Sequence, residues 1–589
     1  MTFQDVLTML MGLVLFLFGM NLMGEALEKR AGNKLKDILA TLTSSKIKGL
    51  LLGMIVTCVI QSSSATTVMA VGFVNSGLMT LSQAIPVIMG ANIGTTITSW
   101  ILSLSGISGS AWYIVMLKPS TFVPVLAVLG IVFYMFLNNP KKKDIGLILI
   151  GFATLMFGME TMSGAVKVLK DVPEFAELLV KFENPILGVI AGAVITGIIQ
   201  SSSASVGILQ ALAGATGAVT IGATVPIIMG QNIGTCVTAM ISSVGANKNA
   251  KRTAAVHLYF NIIGTVFSLI IYTLVTSLVT VPVLSQSADQ FSIAVVHTAF
   301  NVICTLVLFP FASGLEKLAT ITVGNTKGAN DKTIMLDERL ITTPAVAITR
   351  CKEVVNDMSA LSVKAISLAL DMFGKFDEKI FDEVEKLEDE VDKYEDTVGT
   401  YLVKLSATNL TPENSREVTK LLHTIGDLER LSDHAVNIAK SLQEMADKKL
   451  NFSERASKEL CTMKDAVQEI TGLAHECFVK GDLKVAYLVE PLEQVIDYLK
   501  DEIKKGHIQR LQKEECTIEM GFVLSDLITN LERVSDHCSN IAGCVIELTK
   551  DELSLHEYYH EIKEIGDFRT EYFNKKYNMY MEKYALDAE

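Results

Sequence analysis

Two four-residue strings, Gln61-Ser62-Ser63-Ser64 and Gln200-Ser201-Ser202-Ser203, are each followed by Ala and lie in long stretches without charge. Those stretches run from Gly49 to Leu117 and from Asn184 to Asn247. Four consecutive polar residues cannot face lipid, where every unsatisfied polar group is costly, so they must line a site. The polar set is Gln61, Ser62, Ser63, Ser64, Thr66, Asn92, Thr95 and Thr96, matched by Gln200, Ser201, Ser202, Ser203, Ser205, Asn232 and Thr235. Neutral oxygens of this kind coordinate a hard cation such as sodium. Hydroxyl and amide donors, together with two helix N-termini, hold an oxyanion. Such a site is expected to hold no fixed counter-charge, so a doubly charged oxyanion entering alone is badly desolvated, and a cation bound beside it removes much of that penalty.

The strings belong to a longer repeat. Phe18-Gly19-Met20 returns as Phe157-Gly158-Met159 and Gln61 as Gln200, at an offset of 139; Pro86 returns as Pro226 and Asn92-Ile93-Gly94-Thr95 as Asn232-Ile233-Gly234-Thr235, at 140. One inserted residue reconciles the two offsets. Small hydroxyl residues also serve simply to pack membrane helices, but recurrence of the whole constellation points to a duplicated site.

Composition places this site in a bilayer. Half of the 589 residues are apolar and the mean hydropathy is +0.38. Up to residue 315 there are 16 basic and 11 acidic side chains, against 35 and 53 beyond it: a membrane half followed by an acidic soluble half. Nine cysteines without CxxC spacing suit a reducing compartment and supply no disulfide or zinc framework. Asp5 and the lack of a basic segment before the first apolar run argue against a cleaved signal peptide.

Charge placement predicts a topology. The run Val6 to Met23 is followed by Lys29, Arg30, Lys34, Lys36, Lys46 and Lys48, a cluster expected to stay cytoplasmic, with the N-terminus outside. In the second repeat the corresponding segment, Lys167 to Glu183, has no basic excess. The loop near Val244 to Thr253 does carry Lys248, Lys251 and Arg252, where its counterpart Leu102 to Tyr113 is uncharged. With the basic linker Lys141-Lys142-Lys143, this alternation predicts an odd number of crossings per repeat and a second repeat inverted relative to the first. Gly49 to Gly77 and Ile186 to Gly217 must then enter and return as re-entrant hairpins with the serine strings near their tips. A serine there caps the returning half-helix, and the broken backbone lines a polar cavity. Of the other intramembrane polar residues, Glu160 is expected to pair locally or sit near the outer interface. His257 and Asn261, like His297 and Asn301, share a His-x-x-x-Asn spacing that reads as structural polar contact between helices.

The doubled Gln-Ser-Ser-Ser-Ala, each followed by Met-Gly-x-Asn-Ile-Gly-Thr (Met89 to Thr95 and Met229 to Thr235), resembles the type II sodium-phosphate cotransporter family over about residues 5 to 315. The resemblance implies inverted repeats, alternating access, and phosphate with sodium held between the two tips.

Beyond a Gly- and Asn-containing linker, the soluble half is rich in Lys, Glu, Leu and Ala with helical periodicity, and Thr411-Pro412-Glu413 marks a helix start. It too is duplicated: Leu428-Glu429-Arg430-Leu431-Ser432-Asp433-His434 returns as Leu531-Glu532-Arg533-Val534-Ser535-Asp536-His537 at an offset of 103. Each copy is preceded by a Glu-x-x-x-Asp, Glu388 with Asp392 and Glu493 with Asp497. A spacing of four puts both carboxylates on one helical face, so that paired helices offer a carboxylate cluster to metal ions; the alternative is a solvated face with an arginine partner. The conjunction of motifs resembles the PhoU family over about residues 340 to 550, implying two three-helix bundles and metal, divalent or iron, held by these carboxylates. Asp427 has Asn530 as its counterpart, which predicts a weaker second metal site. The tail, with Tyr558, Tyr559, Tyr572, Tyr577 and Tyr580, is given no role.

The expected protein is all-α and polytopic: repeat 1 over residues 1–140, inverted repeat 2 over 141–315, a linker over 316–339, the PhoU-like helical domain over 340–550 and a tail over 551–589. Its expected function is sodium-coupled phosphate transport across a bacterial inner membrane, with a cytoplasmic regulatory domain that takes a second copy of the chain or a regulatory protein as partner. No nucleic acid is expected to bind. The chain has no GxxxxGK[ST], HExxH or GxSxG motif, so phosphate is moved rather than transferred. Two other readings are phosphate export and a membrane-anchored, metal-binding phosphate regulator without transport.

Overall fold

The computed structural model describes residues 2–42, 45–107, 118–172, 184–324, 336–408, 410–549 and 568–586, with isolated positions between 111 and 116 and without side chains for 31–44. Every regular element among them is helical, apart from one isolated bridge between Thr220 and Ser287. The chain forms two compact units. The first runs from Met1 to Asp331 and takes in Asp337–Ala345; the second contains Val346–Glu589.

The first unit comprises α1 (Phe3–Leu42), α2 (Lys46–Ile60), α3 (Ser63–Asn75), α4 (Leu81–Ser103), α5 (Pro119–Phe136), α6 (Pro140–Val166), α7 (Pro185–Ile199), α8 (Ser202–Thr216), α9 (Ile221–Ser242), α10 (Lys248–Leu278), α11 (Gln290–Leu308) and α12 (Ala312–Val323). Seven stretches among the described residues are long and apolar enough to cross a membrane: Phe3–Arg30, Leu81–Gly106, Pro119–Phe136, Lys141–Lys170, Ile221–Ser242, Lys248–Leu278 and Gln290–Val323. Their outer faces expose Val14, Phe18, Val128, Ile270 and Leu306, apolar surface that suits hydrocarbon and not water. By contrast, α2, α3, α7 and α8 have 15, 13, 15 and 15 residues. At a rise of about 1.5 Å per residue they fall short of a ~30 Å hydrocarbon core. They are the arms of two hairpins.

Missing side chains let these helices meet. A Cβ on Gly19 would lie 2.3 Å from the Leu155 nitrogen and one on Gly158 would lie 2.4 Å from that of Phe16. Gly12 meets the Gly158 carbonyl and Gly19 that of Gly151, so α1 and α6, the equivalent first helices of the two repeats, pack antiparallel. The entering arms are held in the same way. Gly53 of α2 abuts Val87 of α4, and its repeat partner Gly192 of α7 abuts Ile227 of α9.

Part of the segment expected to be a linker is folded. Leu315 and Ala319 of α12 are buried, and a 3₁₀ turn, Glu338–Thr342, buries Leu340 against Gly72 of α3, because both pieces carry an apolar stripe that the membrane unit covers.

The second unit contains α13 (Pro344–Asp371, its first two residues belonging to the first unit), α14 (Glu378–Ser406), α15 (Pro412–Lys448), α16 (Glu454–Lys480), α17 (Leu483–Gln512), α18 (Ile518–Thr549) and α19 (Phe568–Lys583). Each of α14 to α17 starts at a side-chain cap, from Asp377, Thr411, Ser453 and Asp482. Helices α13 to α15 form one set of three, joined by Lys352–Glu417 and Lys364–Glu383 pairs; α16 to α18 form the other, packed on the first through α15 and α18. Of the tail tyrosines, Tyr580 is buried and its neighbour Lys583 pairs with Glu469 at 2.7 Å; Tyr558 and Tyr559 lie outside the described residues.

Candidate functional site

At each hairpin tip the entering helix ends in a left-handed residue, Gln61 (φ 59°) and Gln200 (φ 58°), and the next serine caps the returning helix. Ser62 Oγ accepts from the Ala65 N–H and Ser201 Oγ from that of Ala204, both at 3.2 Å. The first N–H groups of α3 and α8 are of the kind an α-helix leaves without an internal acceptor, and they carry the positive end of each helix dipole. A hydroxyl bridge ties the two arms of each hairpin: Thr57 Oγ1 donates to Thr66 Oγ1 at 3.0 Å, and Thr196 Oγ1 to Ser205 Oγ at 2.8 Å. Thr57 and Thr196 escaped the sequence reading, although their separation of 139 residues marks them as repeat partners.

Both tips line one cavity of about 370 Å³. Gln61, Ser62, Ser63, Ser64, Gln200, Ser201, Ser202 and Ser203 all contribute to its wall, and Ser64 Oγ reaches the Gln200 carbonyl across the gap at 3.5 Å. The other candidates are buried and turned elsewhere. Thr66 and Ser205 form the arm bridges; Thr95, Thr96, Asn232 and Thr235 donate to carbonyls of their own helices; Asn92 Nδ2 donates to Asn261 Oδ1 at 3.0 Å. His297 Nδ1 lies 2.6 Å from Ser99 Oγ, and Gln61 Oε1 accepts from Thr98 Oγ1 at 2.9 Å. The Gln61 contact ties the first tip to α4, and the other two tie α4 to α10 and α11.

Contrary to the expectation of an uncharged site, the cavity carries fixed charge. Asn21, Glu25 and Glu28 of α1 line it as well. Read along the chain, the two carboxylates merge into the basic cluster that follows them, and only the path of α1 past both tips brings them to the site.

In the second unit Glu493, Asp497 and Asp536 place ligand oxygens within 4.8 Å of one another, the one such group among the described residues. Burial, then the neighbouring Glu490 and Asp497, pushes Glu493 up to about 8; burial, then Glu532 and Asp497, pushes Asp536 up to about 6. Glu532 is paired with Lys500 at 2.8 Å. In the first copy Glu388 and Glu429 are also raised, by burial first and Asp433 next, while Arg430 stands 3.7 Å from Asp433; Asp392 adds charge to both. The closest convergence thus falls in the second copy, the one expected to be weaker. The Asp427/Asn530 difference acts elsewhere: His537 Nδ1 bonds Asp427 Oδ1 at 2.9 Å and His434 Nδ1 bonds Asn530 Oδ1 at 2.8 Å, each histidine reaching into the other copy.

A carboxyl held above its ordinary value favours the fold while protonated, and that advantage is lost as pH rises through the folded value. For Glu493 the window runs from the ordinary carboxyl value of 4.5 to about 8. A divalent cation bound at the triad would remove the repulsion. We therefore expect a chelator to lower the melting temperature of the full chain in detergent by several degrees at pH 8.5 and hardly at all at pH 5; equal effects at both would contradict metal at this cluster.

The sequence matches the model of the Na+/Pi-cotransporter family over residues 15–164 and 170–304 and that of the PhoU domain over 355–442 and 460–545. It is 24% identical to YjbB of Salmonella typhimurium, whose name proposes inorganic phosphate export, across 94% of this chain and 99% of that one. It is 28% identical to the uncharacterized protein YqeW of Bacillus subtilis across 53% and 96%, and 40% identical to the mouse sodium-dependent phosphate transport protein 2A across 16% and 15%. Among solved structures, PhoU from Pseudomonas aeruginosa is similar at 19% identity, covering 36% of this chain and 100% of that one, with a TM-score of 0.33. With the paired serine tips in its membrane half and the duplicated acidic motifs in its soluble half, the chain belongs to the Na+/Pi-cotransporter family and carries a C-terminal PhoU domain.

Proposed function

We propose that this protein moves inorganic phosphate across the plasma membrane coupled to sodium, by alternating access, with phosphate held between the two tips. One observation carries the reading: two segments 139 residues apart, each a capped helix start preceded by a left-handed glutamine, line a single cavity. Eight neutral amide and hydroxyl side chains and two helix N-termini suit an oxyanion. The carboxylates of Glu25 and Glu28 suit the cation that must accompany it.

The antiparallel packing of α1 and α6 supports an inverted pair of repeats. Arg30 Nη1 donates to the Lys141 carbonyl at 3.1 Å and Lys29 lies 3.8 Å from Asp144, so the two basic segments share one face, which we take as cytoplasmic. The N-terminus is then outside. Lys34 and Lys36, also assigned to that face, have side chains outside the described residues. The PhoU domain is cytoplasmic in this reading, binds metal at its acidic clusters and regulates flux, with a second copy or a regulatory protein as partner. Asp536→Ala then alters metal content and regulation while leaving the tips intact. Gradients set the direction, so export, the activity proposed in the name of YjbB, uses the same site. Phosphate flux in proteoliposomes tests the reading, and its absence in both directions favours a regulator without transport.

A further inference from the structure

The same stripe of the first helix in each repeat lines a cavity. In α1 it includes Leu17, Asn21, Gly24, Glu25 and Glu28; in α6 the residues 139 further on, Met156, Glu160, Ser163, Gly164 and Lys167, line a second cavity of about 640 Å³. Lys118, at the start of α5, lines the second cavity too. Because α1 and α6 run antiparallel, the ends of their stripes, Glu28 and Lys167, lie toward opposite membrane faces. The repeat relates the two cavities, and the serine tips line only the first.

Their charges differ in sign. The first carries the two carboxylates; the second carries two lysines against the single carboxylate of Glu160. A vestibule of one sign with low-dielectric walls raises the local concentration of the opposite ion and speeds its capture.

We propose that Lys118 and Lys167 form an anion-gathering vestibule on one membrane face, while Glu25 and Glu28 on the other slow phosphate loading and gather the cation, making transport kinetically asymmetric. The proposal rests on the transporter reading. Fixed charge leaves the thermodynamic direction to the gradients; it alters how fast each face loads. Two lysines about 10 Å from a doubly charged anion change its local concentration roughly threefold at moderate salt.

The test is the apparent KM for inorganic phosphate at each face. The full chain is reconstituted at one copy per vesicle, vesicles are sorted by capture of an outward-facing C-terminal tag, sodium is held constant, and ionic strength is varied with choline chloride. At the lysine face, Lys118→Gln with Lys167→Gln is expected to raise KM about threefold at moderate ionic strength and by more at low ionic strength, flattening its salt dependence and leaving kcat within twofold. At the other face, with sodium saturating, Glu25→Gln with Glu28→Gln lowers the phosphate KM, and a separate sodium titration shows the sodium KM raised. A wild-type KM and salt dependence in the lysine double variant overturns the proposal while the transporter reading stands. Loss of all wild-type flux removes both.

Discussion

Ser63→Phe and Ser202→Phe each lower phosphate flux at least about 100-fold, equivalent to some 2.7 kcal/mol, while the protein still melts within a few degrees of wild type. Both serines are the first residues of returning helices, are 4% and 6% exposed, and line the cavity from opposite tips. A benzyl group there takes the space of the anion and covers the helix N–H groups that would hold it. The cavity leaves room for the ring, so the arms keep their bridges and the fold survives. Ser63→Ala removes one hydroxyl donor and is expected to cost about tenfold. Flux that persists in both phenylalanine variants would count decisively against a shared site.

Gly53→Val and Gly192→Val are expected to abolish recovery of folded protein. A Cβ at Gly53 would stand 1.9 Å from the Val87 carbonyl oxygen and one at Gly192 would stand 2.1 Å from that of Ile227. Neither contact is with a flexible side chain that could swing away, so the entering arm must separate from the helix that braces its tip. The cost exceeds about 4 kcal/mol, in the range where single substitutions unfold proteins. Gly314→Ala, whose Cβ meets open space, serves as the control and leaves yield and melting temperature unchanged or slightly improved. The measurement is the monodisperse fraction in detergent gel filtration with a thermal ramp. Wild-type yield of either valine variant contradicts the tight arm packing.

Much of the membrane half was legible because its features are local. The two hairpins follow from the alternation of basic segments between the repeats, which leaves one apolar stretch in each to enter and return, and the serine caps follow from residue type at a helix start. What escaped depends on which distant segments meet. The Thr57–Thr66 and Thr196–Ser205 bridges join residues nine apart across a break whose geometry no periodicity reports. Type alone also does not report the partners of Asn92 and Thr95: Asn92 Nδ2 donates to Asn261 from α10 and Thr95 Oγ1 to a carbonyl of its own helix. Glu25 and Glu28 sit immediately before Lys29 and Arg30, and charge counting along the chain averages them away. In the soluble half the two acidic copies are nearly identical in sequence, but burial gathers Glu493, Asp497 and Asp536 most closely, and Asp427 and Asn530 turn to histidines of the opposite copy.

Everything proposed for transport rests on the two tips forming one sodium-coupled phosphate site. That arrangement is tested most directly by loading purified, correctly inserted protein into proteoliposomes with equal phosphate on both sides and imposing a sodium gradient alone. Net phosphate movement down the sodium gradient is expected, reversing when the gradient is reversed and abolished by Ser63→Phe or Ser202→Phe. Phosphate movement no greater than in empty vesicles in either direction, or movement indifferent to sodium, contradicts it.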